Sequence, residues 1–283
     1  NFLSNRYQIT RCNDRVSSDM PINLGVVQGS VLGPSLFTIM VSDLKPLSNM
    51  NDLVKYADDM TLQVPKNLDT DICDELESIK TWAASNKMVI NFSKTKEIVF
   101  HRPRPAKPIM PPCLTGIERV TVTKLLGVYL KDNFSFSCHV DFIIKQCTQR
   151  MYVLRVLRRR GLPAAPLQAV FTALILSRII YAISAWGGFV NASEEQRLNK
   201  VLSKSFRYGY CKAVSRFDML LDCADRTLFH KALNTSHSLN NLLPAVRSSA
   251  TVLRDRGHPL ILPNCNYELF KRSFITRSLF KFM

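Results

Sequence analysis

The chain has 283 residues, 46% hydrophobic and 21% charged, a composition that excludes a disordered protein and fits about two globular domains. Its net charge of +16 is uneven, because residues 1–135 carry 16 Lys and Arg against 14 Asp and Glu, whereas residues 136–283 carry 22 against 8. This one-sided excess predicts a polyanionic partner. The eight cysteines form no CxxC pair and no secretory signal opens the chain, which predicts a reduced, intracellular protein.

The first informative segment is GVVQGSVLGPSLFTIMVSDL, residues 25–44. Three glycines recur at intervals of four, polar residues flank the middle one, and a proline opens a predicted helix: Gly25, Gly29 and Gly33, Gln28 and Ser30, and Pro34. Glycine allows a backbone to approach another group closely. The segment is therefore a candidate binding loop.

The next segment is LVKYADDMTLQV, residues 53–64. Residues with high β propensity lie on both sides of a four-residue turn: Val54, Tyr56, Leu62 and Val64. This pattern predicts a β-hairpin with Asp58 and Asp59 at its tip. Because adjacent carboxylates repel each other, the pair raises the question of what it binds.

The elements that follow alternate between helix and strand. A helical repeat of apolar residues predicts an amphipathic helix over residues 70–86. Residues 88–101 predict a strand, a polar bend and a second strand. Five prolines make residues 102–113 a predicted loop, and β-forming residues over 114–132 predict short strands.

After about residue 135 the pattern becomes helical. Residues 139–161 predict a helix with one apolar face and a basic opposite surface formed by Lys145, Arg150, Arg155, Arg158, Arg159 and Arg160. Residues 193–210 predict another helix, with Ser193 as the N-cap and Gln196 at the third helical position. The chain beyond residue 240 is basic and predicted to be rich in loops.

An apolar helix is predicted over residues 164–186, within a stretch that resembles a membrane span, residues 169–190. Arg178 lies at its centre, and an arginine there costs about 3 kcal/mol in a bilayer. We therefore expect no membrane association. The favoured interpretation is a buried or half-buried helix from which Arg178 reaches a groove or an acidic partner.

A possible zinc set consists of Cys211, Cys223, His230 and His237. Successive members are 12, 7 and 7 residues apart, and no two of them form the tight pair that is typical of structural zinc sites. The spacing argues against zinc.

Read in order, these motifs closely resemble reverse transcriptases of the LINE-type (non-LTR) retrotransposons, particularly jockey-like elements. The resemblance rests on the glycine segment, Tyr56-Ala57-Asp58-Asp59, NFSKTK at 91–96, KLLGVYLKDNFSFSCHV at 124–140, and RIIYAISAWGG with RLNKVLSKSFR. It spans nearly the whole chain and is least specific beyond about residue 210. It implies an α+β fold with a partial polymerase palm (an antiparallel sheet with helices) in residues 1–134, a helical thumb-like region in 135–190, and a basic C-terminal helical and loop region in 191–283.

The resemblance also implies RNA-directed DNA polymerase activity by two-metal nucleotidyl transfer. Asp58 would be a direct ligand of Mg²⁺, with Mn²⁺ as an alternative, and Asp59 would support the site or bind less directly. Carboxylate oxygens suit Mg²⁺, and bound cations would offset the repulsion between the two acids. The competing interpretation is an ordinary Asp-Asp surface turn.

The other roles implied by the resemblance concern RNA template, DNA primer and deoxynucleoside triphosphates; no protein partner can be inferred. Gln28, Gly29, Ser30 and Tyr56 would lie against the incoming nucleotide and the templating base. Lys94, with Lys96 as its rival, would donate a proton to pyrophosphate, unless it is only a solvated lysine. Leu126, Gly127 and Val128 would grip the primer. The basic surface of residues 139–160 would follow an RNA–DNA hybrid by phosphate contacts, unless it is only a solvated surface.

One feature departs from the family pattern. These polymerases use a third carboxylate before the glycine segment, whereas Asp14 and Asp19 lie in a polar stretch that does not match that motif. We therefore expect a partial chain, lacking the fingers and the first aspartate motif, that is inactive or very weak alone. Two alternatives remain, a non-catalytic nucleic-acid-binding protein derived from such an element and a related polymerase such as a group II intron maturase. A nuclear location is expected if the chain acts as part of an element.

Overall fold

A computed structural model describes residues 4–22, 25–27, 29–66, 72–101, 110–247 and 257–282. The structure is mixed α+β, as predicted, and the chain divides into two units, residues 1–94 and 95–283. These units reflect packing rather than function. The division predicted at residues 134 and 190 therefore remains a prediction.

The strands of the first unit form separate antiparallel pairs. β1 (Arg6–Gln8) pairs with β4 (Met20–Ile22), β2 (Arg11–Cys12) with β3 (Arg15–Val16), and β5 (Asp52–Tyr56) with β6 (Asp59–Gln63). Among the described residues no sheet has more than two strands. The predicted antiparallel structure is thus present as hairpins and ribbons rather than as one continuous layer.

Two helices accompany these strands. α1 (Gly33–Met40) has Pro34 in its first turn, where the missing N–H interrupts no helical hydrogen bond. α2 (Ile72–Ser85) confirms the predicted amphipathic helix. Within the described part of this unit, the hydrophobic side chains that are nearly fully buried are Val41, Leu44 and Ala83. Such a small apolar core gives polar contacts a large share in holding the unit together.

The segment after α2 differs from the prediction. Residues 88–95 and 98–101 are not strands, and only β7 (Lys96–Glu97) forms, paired in parallel with β8 (Glu118–Arg119). A β-forming sequence becomes a strand only where a neighbour supplies ladder hydrogen bonds. Arg119 reinforces this pair by donating to both carboxylate oxygens of Glu97 at 2.8 and 2.9 Å.

Short strands predicted over residues 114–132 are confirmed. β9 (Val122–Leu125) and β10 (Val128–Lys131) follow β8 and form an antiparallel hairpin. The predicted proline-rich loop lies mostly outside the described residues, and residues 110–113 have no regular structure.

The core of the second unit is built on α3 (Ser137–Arg159), which confirms the predicted helix and its apolar face. Val140, Cys147 and Leu154 are fully buried on that face. His139 is buried beside them, and burial lowers the pKa of its imidazole to about 4. Its ring packs edge-on against Trp186 with 4.9 Å between centroids, so a neutral imidazole is part of this core at pH 7.

The apolar helix predicted over residues 164–186 is broken. α4 (Ala164–Phe171) continues through a π-helical turn into α5 (Ser177–Ile180), but Tyr181 is extended and Ala182 adopts a left-handed φ of 48° before α6 (Ile183–Trp186) begins. The indole N–H of Trp186 donates to the Tyr181 carbonyl at 3.0 Å and satisfies a backbone group that the break exposes.

By length and composition alone, the run Ala164–Phe189 would be long enough to cross a membrane. One such helix is weak evidence, because a core helix passes the same test, and the residues that form its inner face are buried in the core of this unit: Leu167, Phe171, Ile175, Ile179 and Ile183. Arg178 is exposed and forms no ion pair within the described part of the chain, so an acidic partner, one of the two predicted alternatives, is not found there.

Helix α7 (Ala192–Arg207) begins at a different residue from the one predicted. Asn191 is the N-cap; its Oδ1 accepts from the Glu194 amide at 2.9 Å, and a Glu194 carboxylate oxygen accepts from the Asn191 amide at 3.0 Å. This reciprocal capping box starts the helix before the predicted pair Ser193 and Gln196. The predicted cap is therefore wrong, because an equally good one precedes it.

The remaining helices are α8 (Phe217–Ala232), α9 (Glu268–Arg272) and α10 (Phe274–Lys281). Arg277 of α10 donates to both carboxylate oxygens of the buried Asp225 at 2.7 and 2.8 Å and to the Ser184 carbonyl at 2.6 Å. A Cβ at Gly188 would collide with Arg277 and with the Arg272 carbonyl. Glycine at this position therefore lets α9 and α10 pack closely against the backbone of residue 188.

Candidate functional site

The β5–β6 hairpin places Asp58 in its turn and Asp59 at the first position of β6. Tyr56 and Asp59 are paired across the hairpin, and Ala57 adopts a left-handed φ of 51° in the turn between them. Both carboxylates are exposed, and in the described part of the chain neither forms a hydrogen bond or an ion pair. The predicted hairpin is confirmed, and its tip presents two adjacent acids that no other described side chain neutralises.

Lys55 anchors the hairpin to the chain that follows α1. Its ammonium group donates to the Val41 carbonyl at 2.5 Å and to the Leu44 carbonyl. Burial lowers the pKa of this lysine; the nearby Asp43 carboxylate acts in the opposite direction. Lys55 and Leu53 lie on the same, inward-facing side of β5. A charged residue at such a position is the sequence signal that could have identified the anchoring role of Lys55.

Glu75 holds the chain that leads into β5. This fully buried carboxylate accepts from the amides of Leu47 and Ser48 at 3.0 Å each and from the side-chain amide of Asn51 at 2.7 Å. Burial raises the pKa of Glu75, but these hydrogen bonds outweigh it, and the net pKa lies below its ordinary value. An acid on the apolar face of α2 was the sequence signal for this contact.

In the glycine segment, Ser30, one of the predicted binding residues, caps the start of α1. The Ser30 hydroxyl accepts from the Gly33 amide at 3.1 Å, which satisfies one of the unpaired amides at the start of α1. Gly29 has a left-handed φ of 80°, a conformation that glycine adopts without strain. Gln28 lies outside the described residues. The nucleotide-binding role of this loop stays a prediction.

The two candidate proton-donating lysines differ in their contacts. Lys94 is exposed, and its ammonium group has no partner in the described part of the chain. Lys96, in contrast, forms an ion pair with Glu118 across the β7–β8 pair. Lys94 is thus the lysine whose charge is available to a ligand.

The predicted primer-grip residues form the tip of the β9–β10 hairpin. Leu126 and Gly127 are its two-residue turn, with positive φ angles of 45° and 90°, and Val128 begins β10. The Tyr181 hydroxyl donates to the Leu126 carbonyl at 2.8 Å, and its ring lies 3.3 Å from where a Cβ on Gly127 would be. The break between α5 and α6 therefore supplies the side chain that fixes this tip.

The six predicted backbone-binding cations fall into two groups. Arg150 donates to the Leu174 carbonyl at 2.9 Å, and Arg158 donates to the Tyr208 carbonyl, so both tie α3 to neighbouring helices. The remaining four are exposed and form no ion pair in the described part of the chain: Lys145, Arg155, Arg159 and Arg160. These four form the exposed basic surface of α3.

No predicted metal site is complete within the described residues. There, no three His, Cys, Asp or Glu side chains lie close enough together to hold an ion, whether around Asp58 and Asp59 or in the possible zinc set. Asp14 lies in the turn between β2 and β3 and does not join Asp58 and Asp59 in such a group. The carboxylate pair has the chemistry that Mg²⁺ prefers, so it fits an ion that takes further ligands from substrate or water.

Comparison with known proteins finds a family match for the first part of the chain and similarity to curated relatives over more of it. Residues 1–130 match the reverse transcriptase (RNA-dependent DNA polymerase) family. The probable RNA-directed DNA polymerase from transposon BS of Drosophila melanogaster is 28% identical over 207 residues, which cover 66% of this chain and 22% of that protein. The RNA-directed DNA polymerase from mobile element jockey of the same species is 26% identical over 217 residues, covering 71% of this chain and 23% of that protein.

A third relative is the probable RNA-directed DNA polymerase from transposon X-element of Drosophila melanogaster, 27% identical over 150 residues that cover 50% of this chain and 16% of that protein. The chain spans about a fifth of the length of the curated relatives it matches. No solved structure matches it significantly.

The exposed acidic hairpin lies within residues 1–130, the segment that matches the reverse transcriptase (RNA-dependent DNA polymerase) family. More particularly, the curated relatives come from transposons and mobile elements such as jockey, and this similarity supports a reverse transcriptase of the LINE type. Enzymes of this family generally use divalent metal ions and act on RNA and DNA.

Proposed function

We propose that this chain is the part of a retrotransposon reverse transcriptase that carries the catalytic hairpin and a nucleic-acid-binding surface. The protein would join deoxynucleotides to a DNA primer on an RNA template. The observation that carries the proposal is the pair of exposed carboxylates, Asp58 and Asp59, without described partners at the tip of a hairpin in the family-matching segment. In this proposal, residues 1–134 would form a partial palm, residues 135–190, which include α3, a thumb-like region, and residues 191–283 a basic C-terminal region.

Asp58 and Asp59 would hold Mg²⁺, or Mn²⁺, through their carboxylate oxygens. A bound divalent ion lowers the pKa of a coordinated hydroxyl and offsets charge on phosphate oxygens. The hairpin contributes position: Lys55 and the chain held by Glu75 fix β5, and the turn presents both acids to a substrate. Tyr56, which precedes the turn and is exposed, would lie against the nucleotide with Gln28, Gly29 and Ser30.

Lys94 would donate a proton to the departing pyrophosphate. Its ammonium group is exposed and uncompensated in the described part of the chain, whereas the charge of Lys96 is matched by Glu118. The β9–β10 tip, Leu126, Gly127 and Val128, would contact the primer strand. The exposed basic surface of α3 would bind phosphates of the RNA–DNA hybrid largely independently of sequence. We also propose an intracellular, nuclear site of action.

A second candidate is a non-catalytic nucleic-acid-binding protein derived from such an element. The observation that favours it is the absence, among described residues, of a third carboxylate near the first two. On either proposal the chain binds nucleic acid. They differ in whether it extends a primer once the polymerase is complete.

Primer extension on an RNA template with Mg²⁺ separates the two. The chain alone should give no more than a trace of product, because two carboxylates are too few to position the metal ions. A chimera that carries the upstream segment of the jockey relative should extend the primer, and Asp58→Asn should reduce its rate about a thousandfold or more. Asp14→Asn, at another exposed hairpin turn, is the matched control and should leave the rate unchanged. A chimera that binds the hybrid without extending it would favour the second candidate.

A further inference from the structure

The ends of α3 and α7 flank an open cavity in which Arg155 and Arg159, already part of the exposed basic surface of α3, lie beside two tyrosines that have no role in the proposed function. Its volume is about 460 Å³, within the usual range for ligand pockets, and it is lined by Arg155, Arg158, Arg159, Tyr208 and Tyr210. No lining residue is acidic. A site made only of guanidinium groups and phenol rings suits a ligand that is both anionic and flat.

The charge at this cavity is positive although two helices end beside it. Carbonyl groups at helix C-termini carry partial negative charge and would repel an anion. Arg158 donates to the Tyr208 carbonyl at the end of α7, which offsets that charge. Arg155 and Arg159 remain exposed and form no ion pair in the described part of the chain, so both can donate hydrogen bonds to a phosphate.

The aromatic component is held in place. Tyr210 is buried and packs edge-on against Tyr208 with 5.8 Å between ring centroids, which fixes the orientation of the partly exposed Tyr208 ring. The ammonium group of Lys204 and the guanidinium group of Arg207, in the last turn of α7, lie over that ring, 5.8 and 5.9 Å from its centroid. A fixed, partly exposed ring among cations is the arrangement that proteins use to stack an unpaired base.

We propose that this cavity binds an unpaired nucleotide of a single-stranded nucleic-acid overhang, with its base against Tyr208 and its phosphates against Arg155 and Arg159. Bases in a duplex are stacked on each other, so only a single strand can offer a base to the ring. The inference rests on the proposed function, which supplies the adjoining RNA–DNA hybrid on the exposed basic surface of α3. It adds a second, single-stranded subsite to that surface.

Fluorescence anisotropy with the full chain and three labelled probes tests the subsite. The probes are a blunt RNA–DNA hybrid, the same hybrid with a single-stranded extension, and the hybrid with an abasic extension of equal length. The extension with bases should bind at least about fivefold more tightly than the abasic one, because stacking of one base contributes at least that factor. Equal binding of these two probes would overturn the subsite.

Variants assign the effect to the cavity. Tyr208→Ala should remove the preference for bases, Tyr208→Phe should retain it, and Phe280→Ala, an exposed aromatic residue on α10, should leave it unchanged. Arg155→Gln with Arg159→Gln should weaken binding of all three probes, because both arginines also belong to the exposed basic surface of α3, and should reduce the salt slope by about two. A preference for bases that survives Tyr208→Ala would overturn the proposal. Failure to bind even the blunt hybrid would instead contradict the proposed function.

Discussion

Each of the two units of this molecule is stabilised internally by a different kind of contact. Among the described residues, three hydrophobic side chains are nearly fully buried in residues 1–94 and 23 in residues 95–283. The first unit depends on the hydrogen bonds of Glu75 and Lys55, while the second has a continuous core from α3 to α8.

This difference indicates where the stability of the chain resides. Each buried aliphatic or aromatic side chain contributes about 1.5–3 kcal/mol relative to exposure, whereas a hydrogen bond contributes about 1 kcal/mol. The second unit should therefore unfold at higher denaturant concentration than the first. The candidate catalytic hairpin thus belongs to the less stable unit, and the basic helix to the more stable one.

The largest effect is expected at the buried pair in the second unit. Asp225→Asn leaves the Arg277 guanidinium without its charge partner in a buried site, which should lower the free energy of unfolding by about 3–5 kcal/mol in urea titration. Asp222→Asn is the matched control, because Asp222 joins the same two helices through an exposed pair with Lys281. Its effect should be about 1 kcal/mol or less. Equal effects would contradict the importance of burial here.

Acidification should destabilise the second unit through His139. Because burial lowers its pKa from 6.5 to about 4, the unfolded chain binds the proton more tightly than the folded one. Stability should therefore fall as pH drops from about 6.5 to 4, by up to about 3 kcal/mol. Urea titrations at several pH values should show a shallower slope for His139→Phe. His230→Phe, at an exposed position on α8, should keep the original slope.

Glu75→Gln should loosen the first unit by about 1–3 kcal/mol, since a neutral amide replaces an ionised acceptor of three hydrogen bonds. Hydrogen exchange should accelerate across residues 45–63 and stay unchanged in α3. Glu77→Gln, on the exposed side of the same helix, should change neither. Faster exchange in α3 as well would show that the units do not unfold independently.

The same carboxylate sets a pH limit for the first unit. Its pKa in the folded chain lies below the ordinary 4.5, so its contribution is fully present above that pH and is lost as pH falls through the folded value. Relative to the intrinsic exchange rate, exchange in residues 45–63 should thus accelerate only below about pH 4.5, whereas the decline caused by His139 begins near pH 6.5.

The smallest effect is expected at the β9–β10 tip. Tyr181→Phe removes the hydrogen bond to the Leu126 carbonyl and should cost about 1 kcal/mol in urea titration, with faster exchange at the turn. Tyr152→Phe is the control, because the Tyr152 hydroxyl has no hydrogen-bond partner in the described part of the chain. A tip that exchanges no faster would show that the β-turn is stable without Tyr181.

Local patterns in the sequence predicted the elements that local forces determine. The Asp58–Asp59 hairpin, α2 and the apolar face of α3 follow from alternation or helical spacing, and each is confirmed. The first of the two strands predicted within residues 88–101 did not form, because pairing depends on a partner elsewhere in the chain. The helix break at Ala182 could not be predicted from the sequence either. It is stabilised by hydrogen bonds from the Tyr181 hydroxyl to the Leu126 carbonyl and from the Trp186 indole to the Tyr181 carbonyl.

The candidate site was predictable as chemistry but not as contacts. The two acids and the basic surface are visible as residue types in order. Whether a given cation is free depends on tertiary structure: Arg150 and Arg158 look like Arg155 and Arg159 in the sequence, yet the first two bind carbonyl groups of neighbouring helices. Only the fold brings Tyr208 and Tyr210 to the end of α3.

The contact between Arg277 and Asp225 can form only late in the synthesis of the chain. The two residues are 52 positions apart, a distance that a ribosome covers in about 3–10 s. During that interval α8 has been made while the Asp225 carboxylate and the Ser184 carbonyl still lack their guanidinium donor. The nascent chain would expose these unpaired polar groups beside Gly188 until α10 emerges. Chaperone binding or misassembly would compete with completion of the fold during that interval.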